Sequence, residues 1–314
     1  MIKRPVVLVL GAGASRPYGF PTARDLLRDI RGGFRDDIFR RRLVNSDYGE
    51  TEIRELREAL NESPVGSVDE FLELTVNARL VPVGKAAIAA ALLPLERPEK
   101  LLPDAQPDDW YEHLFRRMRD RAPSLDKFLM NRVAFVTFNY DRSLEHFLLT
   151  SLRSTYGAKP AEIAEAMKRR PLHIVHVYGS LGELPDLGGE LPYGVEPTIS
   201  GILLRHAAES IRIAGEPGSQ AGIDAAESVL MSHGERVCFL GFGYRRENVE
   251  RLSLATTLPK DARIFGSAYE KLRDERGDVE RLFEAAGRHI ELADPKFDGL
   301  KTLKDLPVLS ESGQ

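Results

Sequence analysis

The most constraining feature of the chain is a run of five apolar residues that leads directly into a glycine turn. Residues Val6 to Leu10 are apolar without alternation, which is typical of a parallel strand covered on both faces. Gly11 and Gly13 then allow a sharp turn and a close approach of the backbone to a ligand. Successive backbone N–H groups in such a turn can cradle a pyrophosphate. The sequence therefore predicts nucleotide binding on an α/β sheet.

This turn differs in two ways from the fingerprint of nicotinamide-dependent dehydrogenases. Arg16 occupies the position where the pattern GxGxxG requires its third glycine. No acidic residue ends a second strand about 20 residues further on, where a ribose-binding carboxylate is expected. Residues Arg24 to Asp29 have a helical pattern there instead. We therefore expect a nucleotide site that does not serve ordinary hydride transfer.

Composition narrows the class of protein further. The 314 residues suffice for one large domain, and the formal net charge of −4 argues against a dedicated nucleic-acid binder. The single cysteine, Cys238, excludes an intrachain disulfide and a four-cysteine zinc site, and its apolar neighbours predict a buried core position. No segment has the pattern of a membrane span or a signal peptide, so we expect a cytoplasmic protein.

Strand and helix patterns alternate through most of the chain. Further strands are predicted over 133–138, 172–178, 237–240, 262–265 and 289–292, with helices between them. Such alternation predicts an α/β fold with a doubly wound, mostly parallel, Rossmann-like sheet. Residues 32–130 are largely helical in pattern and too numerous for a simple crossover. We therefore predict a single domain over 1–314 with an inserted helical subdomain over 32–130.

Glycines or polar side chains occur at the ends of four of the predicted strands. The segments are GAGAS at 11–15, FNYD at 138–141, HVYGS at 176–180 and GFGY at 241–244. Ligands of open α/β sheets bind beyond the carboxyl ends of the strands. We therefore expect these four segments to meet at one crevice.

This ordered set of motifs resembles the sirtuin-like NAD-binding fold, in the branch found in bacterial anti-phage defence and not in the protein deacylases. The residues that carry the resemblance are the glycine loop Gly11-Ala12-Gly13-Ala14-Ser15, the segment Gly19-Phe20-Pro21-Thr22 that is similar to Gly-Ile-Pro, the segment Ser67 to Leu72 that is similar to Ser-Ile-Asp-Glu-Phe, the motif Thr137-Phe138-Asn139-Tyr140-Asp141 that is similar to Thr-x-Asn-x-Asp, and the late glycine element Gly241-Phe242-Gly243. They span most of the chain.

The resemblance implies that NAD+ is bound as the substrate, without a metal. It implies that Asn139 lies in the nicotinamide-ribose pocket and that Gly241-Phe242-Gly243 closes around the adenosine side. The expected NAD+-binding residues are Gly11, Ala12, Gly13, Ala14, Ser15, Pro21, Thr22, Asp141, Gly179, Ser180, Gly241 and Gly243.

Two departures from the family pattern bear on the chemistry. The chain lacks the four cysteines of the deacylases' zinc ribbon, which points to hydrolysis of NAD+ instead of deacylation. The family's catalytic histidine directly precedes a glycine, whereas Tyr178 precedes Gly179 here and His176 lies two positions earlier. Strand periodicity places His176 and Tyr178 on one face, so His176 is expected to reach the crevice one step deeper.

Hydrolysis of the nicotinamide–ribose bond needs an oriented ribose, a placed water and a group that accepts the proton of that water. We assign the orientation of water or ribose to the amide of Asn139. We assign proton acceptance to His176, with Tyr178 hydrogen-bonding beside it. A helix N-cap is the alternative interpretation of Asn139, and a hydrogen-bonded core histidine is that of His176.

The sequence thus predicts an NAD+ glycohydrolase that releases nicotinamide and ADP-ribose, and the resemblance implies an effector of anti-phage defence. Because unregulated NAD+ hydrolysis would kill the host, we expect a homo-oligomer or a separately encoded regulatory subunit such as a ring-forming ATPase. Association with membranes and strong direct binding of nucleic acid are not expected. Two alternatives remain open, a catalytically weak subunit that binds NAD+ or ADP-ribose, and a zinc-independent NAD-dependent deacylase.

Overall fold

The computed structural model describes residues 1–194 and 200–310, and these residues form an α/β fold around a six-stranded parallel sheet. The strands are β1 (Val6–Leu10), β2 (Val133–Thr137), β3 (Ile174–His176), β4 (Arg236–Leu240), β5 (Arg263–Gly266) and β6 (Ile290–Leu292). Their order in the sheet is β3-β2-β1-β4-β5-β6, and every neighbouring pair is parallel. This order is that of doubly wound Rossmann-like sheets, so the predicted fold class is confirmed.

The three central strands are buried on both faces. Every residue of β1, β2 and β4 is buried, as their continuous apolar sequences predict. The pairing register sets Leu10 level with Thr137 on one side and with Leu240 on the other. These strands therefore end at the same edge, where β1 separates the two halves of the sheet. Ligands of such sheets bind at this topological switch point.

Within the described residues fifteen α-helices surround the sheet. They are α1 (Ala23–Gly33), α2 (Asp37–Asn45), α3 (Glu50–Glu62), α4 (Val68–Leu74), α5 (Leu80–Leu92), α6 (Trp110–Arg119), α7 (Leu125–Phe128), α8 (Ser143–Tyr156), α9 (Pro160–Arg169), α10 (Gly201–Ser210), α11 (Ser219–His233), α12 (Arg246–Glu250), α13 (Leu254–Thr257), α14 (Arg273–Ala285) and α15 (Gly299–Asp305). Short 3-10 helices cover Ala12–Tyr18, Leu93–Leu95, Pro98–Leu101 and Pro185–Leu187. None of the helices in these residues is long and apolar enough to cross a membrane.

The segment between β1 and β2 is organised around α5. Ten of the thirteen residues of α5 are buried, because α1, α2, α3, α4 and α10 pack around it. Gly84 permits a close approach of α4, since a Cβ there would lie 2.4 Å from Cδ2 of Leu72. The buried Trp110 of α6 donates its indole N–H to the carbonyl of Ala14 at 2.8 Å. The helices between β1 and β2 are thereby bonded to the glycine loop.

The clearest difference from the sequence prediction lies at the third strand. The prediction covers 172–178, but β3 ends at His176 and the chain then turns, with Gly179 at φ 71°. The periodicity argument that placed His176 and Tyr178 on one face is therefore wrong, because Tyr178 no longer belongs to a strand. Positive φ also interrupts the helical segments that follow β4 and β5, because Ser253 separates α12 from α13 and Glu270 precedes the start of α14.

Candidate functional site

A cavity of about 970 Å³ lies at the carboxyl edge of the sheet, at the switch point between β1 and β4. Residues from all four strand-end segments line it. Cavities of about 300–1,000 Å³ are typical of sites for small molecules and cofactors. The sheet topology therefore brings together motifs that are far apart in sequence.

Most of the predicted site residues line this cavity. They are Gly11, Ala12, Gly13, Ala14, Ser15, Pro21, Thr22, Asn139, Asp141, Tyr178, Gly241 and Gly243. His176, Gly179 and Ser180 are not part of the lining. Thr22 also caps α1, because its hydroxyl oxygen accepts a hydrogen bond from the backbone N–H of Asp25 at 3.3 Å.

The glycines at the switch point are required by contact between two loops. A Cβ on Gly11 would lie 2.6 Å from the carbonyl oxygen of Gly241, and a Cβ on Gly13 would lie 2.9 Å from the Cα of Gly241. Gly241 itself has φ 55°, and a Cβ on it would lie 2.0 Å from the backbone nitrogen of Ala14. The sequence interpretation assigned this close approach to a ligand. In the structure the loop after β1 meets the loop after β4.

The backbone N–H groups of the glycine loop are largely occupied. Gly11 donates to the carbonyl of Leu240 at 3.0 Å, Gly13 to that of Gly241 at 2.9 Å, and Ala14 to that of Gly11 at 2.9 Å. These three groups are therefore not available as a cradle for pyrophosphate, in contrast to the expectation from the sequence. Gly243 differs from Gly11, Gly13 and Gly241, because nothing in the described residues lies within 4 Å of its Cβ position.

Asn139 is anchored through its amide nitrogen. Nδ2 donates to the carbonyl of Gly11 and to the hydroxyl of Ser15, each at 3.0 Å. The side chain is nearly buried yet lines the cavity, and Oδ1 accepts no hydrogen bond from the residues that the structure describes. The amide oxygen is therefore the atom that can accept a hydrogen bond from a ligand hydroxyl or a water.

The helix-cap interpretation fits Asp141 better than Asn139. The carboxylate of Asp141 accepts hydrogen bonds from the backbone N–H of Ser143, at 3.1 Å, and from the Ser143 hydroxyl, at the start of α8. Burial raises the pKa of Asp141, and hydrogen bonds from Ser143 and Ser15 partly offset that effect. Tyr111 of α6 contacts the same Ser143 hydroxyl at 2.8 Å. Asp141 thus belongs to a buried network that joins α6 and the glycine loop.

His176 lies beside the Asn139 backbone with both ring nitrogens engaged. Nδ1 is 2.7 Å from the carbonyl oxygen of Asn139, and Nε2 is 2.5 Å from Oε1 of Glu145. Both partners are acceptors, so this arrangement suits a doubly protonated ring. Burial lowers the pKa of His176, but the charge of Glu145 and the two hydrogen bonds outweigh burial and raise the pKa overall.

This geometry favours a positioning role for His176 over the role of base that the sequence suggests. A doubly protonated imidazole has no lone pair with which to accept a proton from water. The ring holds the carbonyl of Asn139, and so fixes the loop from which the Asn139 side chain projects. The interpretation of His176 as a hydrogen-bonded core histidine agrees with these contacts.

Tyr178 does line the cavity, but it is not a base at neutral pH. Its hydroxyl accepts a hydrogen bond from Nη1 of Arg251 at 2.7 Å and lies 3.5 Å from Oδ1 of Asn248. Burial raises the pKa of Tyr178, and Arg251 offsets this only in part, so the hydroxyl stays protonated. Its ring packs edge-to-face on Phe138 at 5.8 Å. Tyr178 thus forms part of the cavity wall.

Gly179 and Ser180 form the turn behind that wall. A Cβ on Gly179 would lie 2.1 Å from the carbonyl oxygen of Ser210, at the end of α10. The hydroxyl of Ser180 donates to the carbonyl of Gly182 at 3.3 Å. The local turn therefore accounts for both residues without a ligand.

A second wall of the cavity comes from α4, and the sequence analysis did not assign it to the site. Tyr140 donates its hydroxyl to Asp69, Arg245 donates to the hydroxyl of Ser67 at 3.1 Å, and Arg251 forms an ion pair with Glu73. The segment Ser67 to Leu72 carries this wall, and in the sequence it stands out only through its similarity to Ser-Ile-Asp-Glu-Phe. Periodicity cannot show which distant residues meet such a segment.

The cavity lining carries charges of both signs. The cationic residues are Arg16, Arg24, Arg212, Arg245, Arg251 and Lys271, and the acidic residues are Asp69, Glu73, Asp108, Asp141, Glu270 and Asp298. Cationic side chains suit a diphosphate, and carboxylates suit ribose hydroxyls. Among residues 1–194 and 200–310 no group of three or more His, Cys, Asp or Glu side chains is arranged to hold a metal ion.

No protein-family model and no curated protein sequence matches this chain. What the molecule does must therefore be inferred from this cavity.

Proposed function

We propose that the protein binds NAD+ in the cavity at the switch point and hydrolyses the bond between nicotinamide and ribose. The observation that carries this proposal is the environment of Asn139. Its amide nitrogen is held by Gly11 and Ser15, while its amide oxygen faces a cavity and has no hydrogen-bond donor among the described residues. An asparagine held in this way can orient a ribose hydroxyl or an attacking water.

The dimensions and charges of the cavity support a dinucleotide as the ligand. The volume of about 970 Å³ lies at the upper end of the usual range for ligand sites. Because the N–H groups of the glycine loop are mostly occupied, the diphosphate would be neutralised by side chains. Arg16 and Arg24 line the cavity and are exposed at its surface beside the start of α1.

Hydrolysis of the nicotinamide–ribose bond requires few catalytic groups. Nicotinamide leaves as a neutral molecule, so hydrolysis needs no general acid. The ribose must be oriented, and a water must be placed and deprotonated as it attacks. In the proposal the amide of Asn139 orients the ribose or the water. The pair formed by His176 and Glu145 keeps the Asn139 loop in place.

A second candidate function is binding of NAD+ or ADP-ribose without turnover. The observation that favours it is that neither His176 nor Tyr178 offers an acceptor for the proton of water. The proposal further includes a role as an effector of anti-phage defence and regulation through a homo-oligomer or a separately encoded ATPase subunit, both of which rest on the family resemblance. It also includes a cytoplasmic location, which rests on the composition.

The test is nicotinamide release from NAD+ by the purified protein, alone and with lysate from phage-infected cells. Wild type is compared with Asn139→Ala and with Asn61→Ala, an exposed asparagine of α3 that serves as the matched control. Binding of NAD+ is measured in parallel by calorimetry. The proposal expects turnover in the wild type and the control, and loss of turnover in Asn139→Ala.

The other outcomes separate the alternatives. Binding without turnover under any condition would assign the chain to the nucleotide-binding subunits. NAD+ consumption that requires an acylated peptide would identify a zinc-independent deacylase. Absence of NAD+ binding would overturn the nucleotide site itself.

A further inference from the structure

Neither His176 nor Tyr178 can accept the proton of the attacking water, but a carboxylate of α4 that lines the cavity can do so. Asp69 lies in the first turn of α4, one residue after Val68 and two after the cap Ser67, and it lines the cavity. Its Oδ1 accepts a hydrogen bond from the hydroxyl of Tyr140. Tyr140 is the residue next to Asn139, so one loop connects the Asp69 carboxylate to the proposed orienting residue.

The other carboxylates of the lining are less suitable. Asp141 accepts two hydrogen bonds from Ser143 and is buried in a network, and Glu73 forms an ion pair with Arg251. Asp298 caps α15 by accepting a hydrogen bond from the backbone N–H of Lys301 at 2.8 Å. Asp108 and Glu270 line the cavity, but no hydrogen bond in the described residues joins either side chain to the loop that carries Asn139. Asp69, in contrast, forms no ion pair in the described part of the chain, and the hydroxyl of Tyr140 is the one group of another residue there that hydrogen-bonds to its carboxylate.

We infer that Asp69 is the catalytic base of the proposed hydrolysis, an inference that rests on the proposed function. The oxygen of the water bonds to C1′ of the ribose, and the bond from C1′ to the nicotinamide nitrogen breaks. The electron pair of that bond neutralises the positively charged pyridinium ring. The proton of the water passes to Oδ2 of Asp69 and then to solvent, so that one water and one NAD+ give nicotinamide, ADP-ribose and a proton.

The surroundings of Asp69 make its carboxylate more basic than an exposed aspartate. Burial raises the pKa of Asp69 and the nearby charge of Glu73 adds to this, while the hydrogen bond from Tyr140 and the charge of Arg245 lower it in part. Tyr178 also lies near this carboxylate and remains neutral. A base with a raised pKa accepts a proton more readily during attack by water.

The chain offers a matched control for a test of Asp69. Asp126 occupies the same position in α7, two residues after the serine cap Ser124, but its side chain is 74% exposed on the surface. Asp69→Asn and Asp126→Asn therefore make the same chemical change at equivalent helix positions. Asparagine at 69 keeps a carbonyl oxygen that can accept from the Tyr140 hydroxyl, and it removes the negative charge together with the capacity to take up a proton.

The experiment compares NAD+ affinity and the rate of nicotinamide release in wild type, Asp69→Asn and Asp126→Asn. We expect Asp69→Asn to lose about 100-fold or more in kcat, the usual range for a general base, with a Kd for NAD+ within about threefold of wild type. Asp126→Asn should match wild type in both. Formate should restore part of the rate of Asp69→Ala, because a small carboxylate can enter the space left and accept the proton; a merely structural role would not give this rescue.

The pH profile gives a second readout. The wild-type rate should fall on the acid side as Asp69 becomes protonated, and this acid limb should be absent in Asp69→Asn. Tyr140→Phe removes a hydrogen bond that lowers the pKa of Asp69, so the acid limb should move to higher pH.

A wild type that turns over NAD+ together with an active Asp69→Asn would overturn this inference alone. A wild type that binds NAD+ without turnover would overturn the proposed hydrolysis, and this inference with it.

Discussion

Gly13 donates its backbone N–H to the carbonyl of Gly241 at 2.9 Å, and this bond joins the loop after β1 to the loop after β4 across the switch point of the sheet. This contact between two loops, and not the approach of a ligand, explains why the motif contains glycines. Its glycines allow the two loop backbones to come into contact, and the cavity lies beside that contact. A substitution at Gly13 therefore acts first on the loops and only through them on a ligand.

The first prediction separates these two effects. Gly13→Val should lower the free energy of unfolding by about 1–3 kcal/mol, because its Cβ would lie 2.9 Å from the Cα of Gly241. Gly243→Leu should leave stability nearly unchanged and weaken NAD+ binding, because the side chain of residue 243 projects into open space at the cavity. Urea unfolding and calorimetric binding check both. Unchanged NAD+ affinity in Gly243→Leu would contradict the placement of the ligand.

The second prediction concerns pH and the pair formed by His176 and Glu145. The folded state raises the pKa of His176 above its ordinary value of 6.5, so protonation of the ring stabilises the fold. This contribution is complete below the ordinary pKa and is lost as the pH rises through the raised pKa of the folded state. The free energy of unfolding of the wild type should therefore fall, relative to His176→Gln, as the pH increases through that window.

The measurement is urea unfolding at a series of pH values from about pH 6 to about pH 9. His289→Gln, at an exposed histidine, serves as the control and should follow the wild type across the series. If His176→Gln followed the wild type as well, the pair would not be charged in the folded protein.

The fold was largely predictable because its signals are local. The apolar runs of β1, β2 and β4 are long enough to identify buried parallel strands, and their carboxyl ends necessarily share one edge. The convergence of Asn139, Tyr178 and Gly241 on one cavity follows from that topology. The predicted range of β3 was too long, because the turn at Gly179 depends on contact with the end of α10 and this contact is not visible in the sequence.

The chemistry of individual site residues was harder to predict, since it depends on distant partners. Periodicity placed His176 at the crevice, but the ring is held by Glu145, which lies 31 residues earlier in the chain. The sequence marks Asp69 only as a member of the segment Ser67 to Leu72, because its contact with Tyr140 spans 71 residues. A sequence pattern indicates on which strand, helix or loop a residue lies, whereas tertiary packing determines which residues its side chain contacts.

The third prediction follows from the environment of Tyr178. Tyr178→Phe removes the hydroxyl that accepts from Arg251 at 2.7 Å, but it keeps the ring packed on Phe138. Because this hydroxyl is protonated at neutral pH, its loss should leave kcat for nicotinamide release within about threefold of wild type, and the lost hydrogen bond should cost about 1 kcal/mol of stability. Steady-state kinetics and urea unfolding measure the two effects. A fall in kcat of a hundredfold would assign Tyr178 a direct catalytic role.

The last prediction concerns the buried ion pair that supports the start of α8. The side chains of Arg142 and Glu96 are 1% and 0% exposed, and Nε of Arg142 lies 2.9 Å from Oε1 of Glu96. Arg142 also donates to the carbonyl of Leu191 at 2.6 Å. Arg142→Leu should therefore lower the free energy of unfolding by about 3–5 kcal/mol, because it leaves the carboxylate of Glu96 buried without a cation.

The double variant Arg142→Leu with Glu96→Leu should be less destabilised than the sum of the two single variants, because it removes both charges and leaves neither unpaired. Urea unfolding of the wild type, the single variants and the double variant forms the complete cycle. Additive losses would contradict direct coupling between the two side chains.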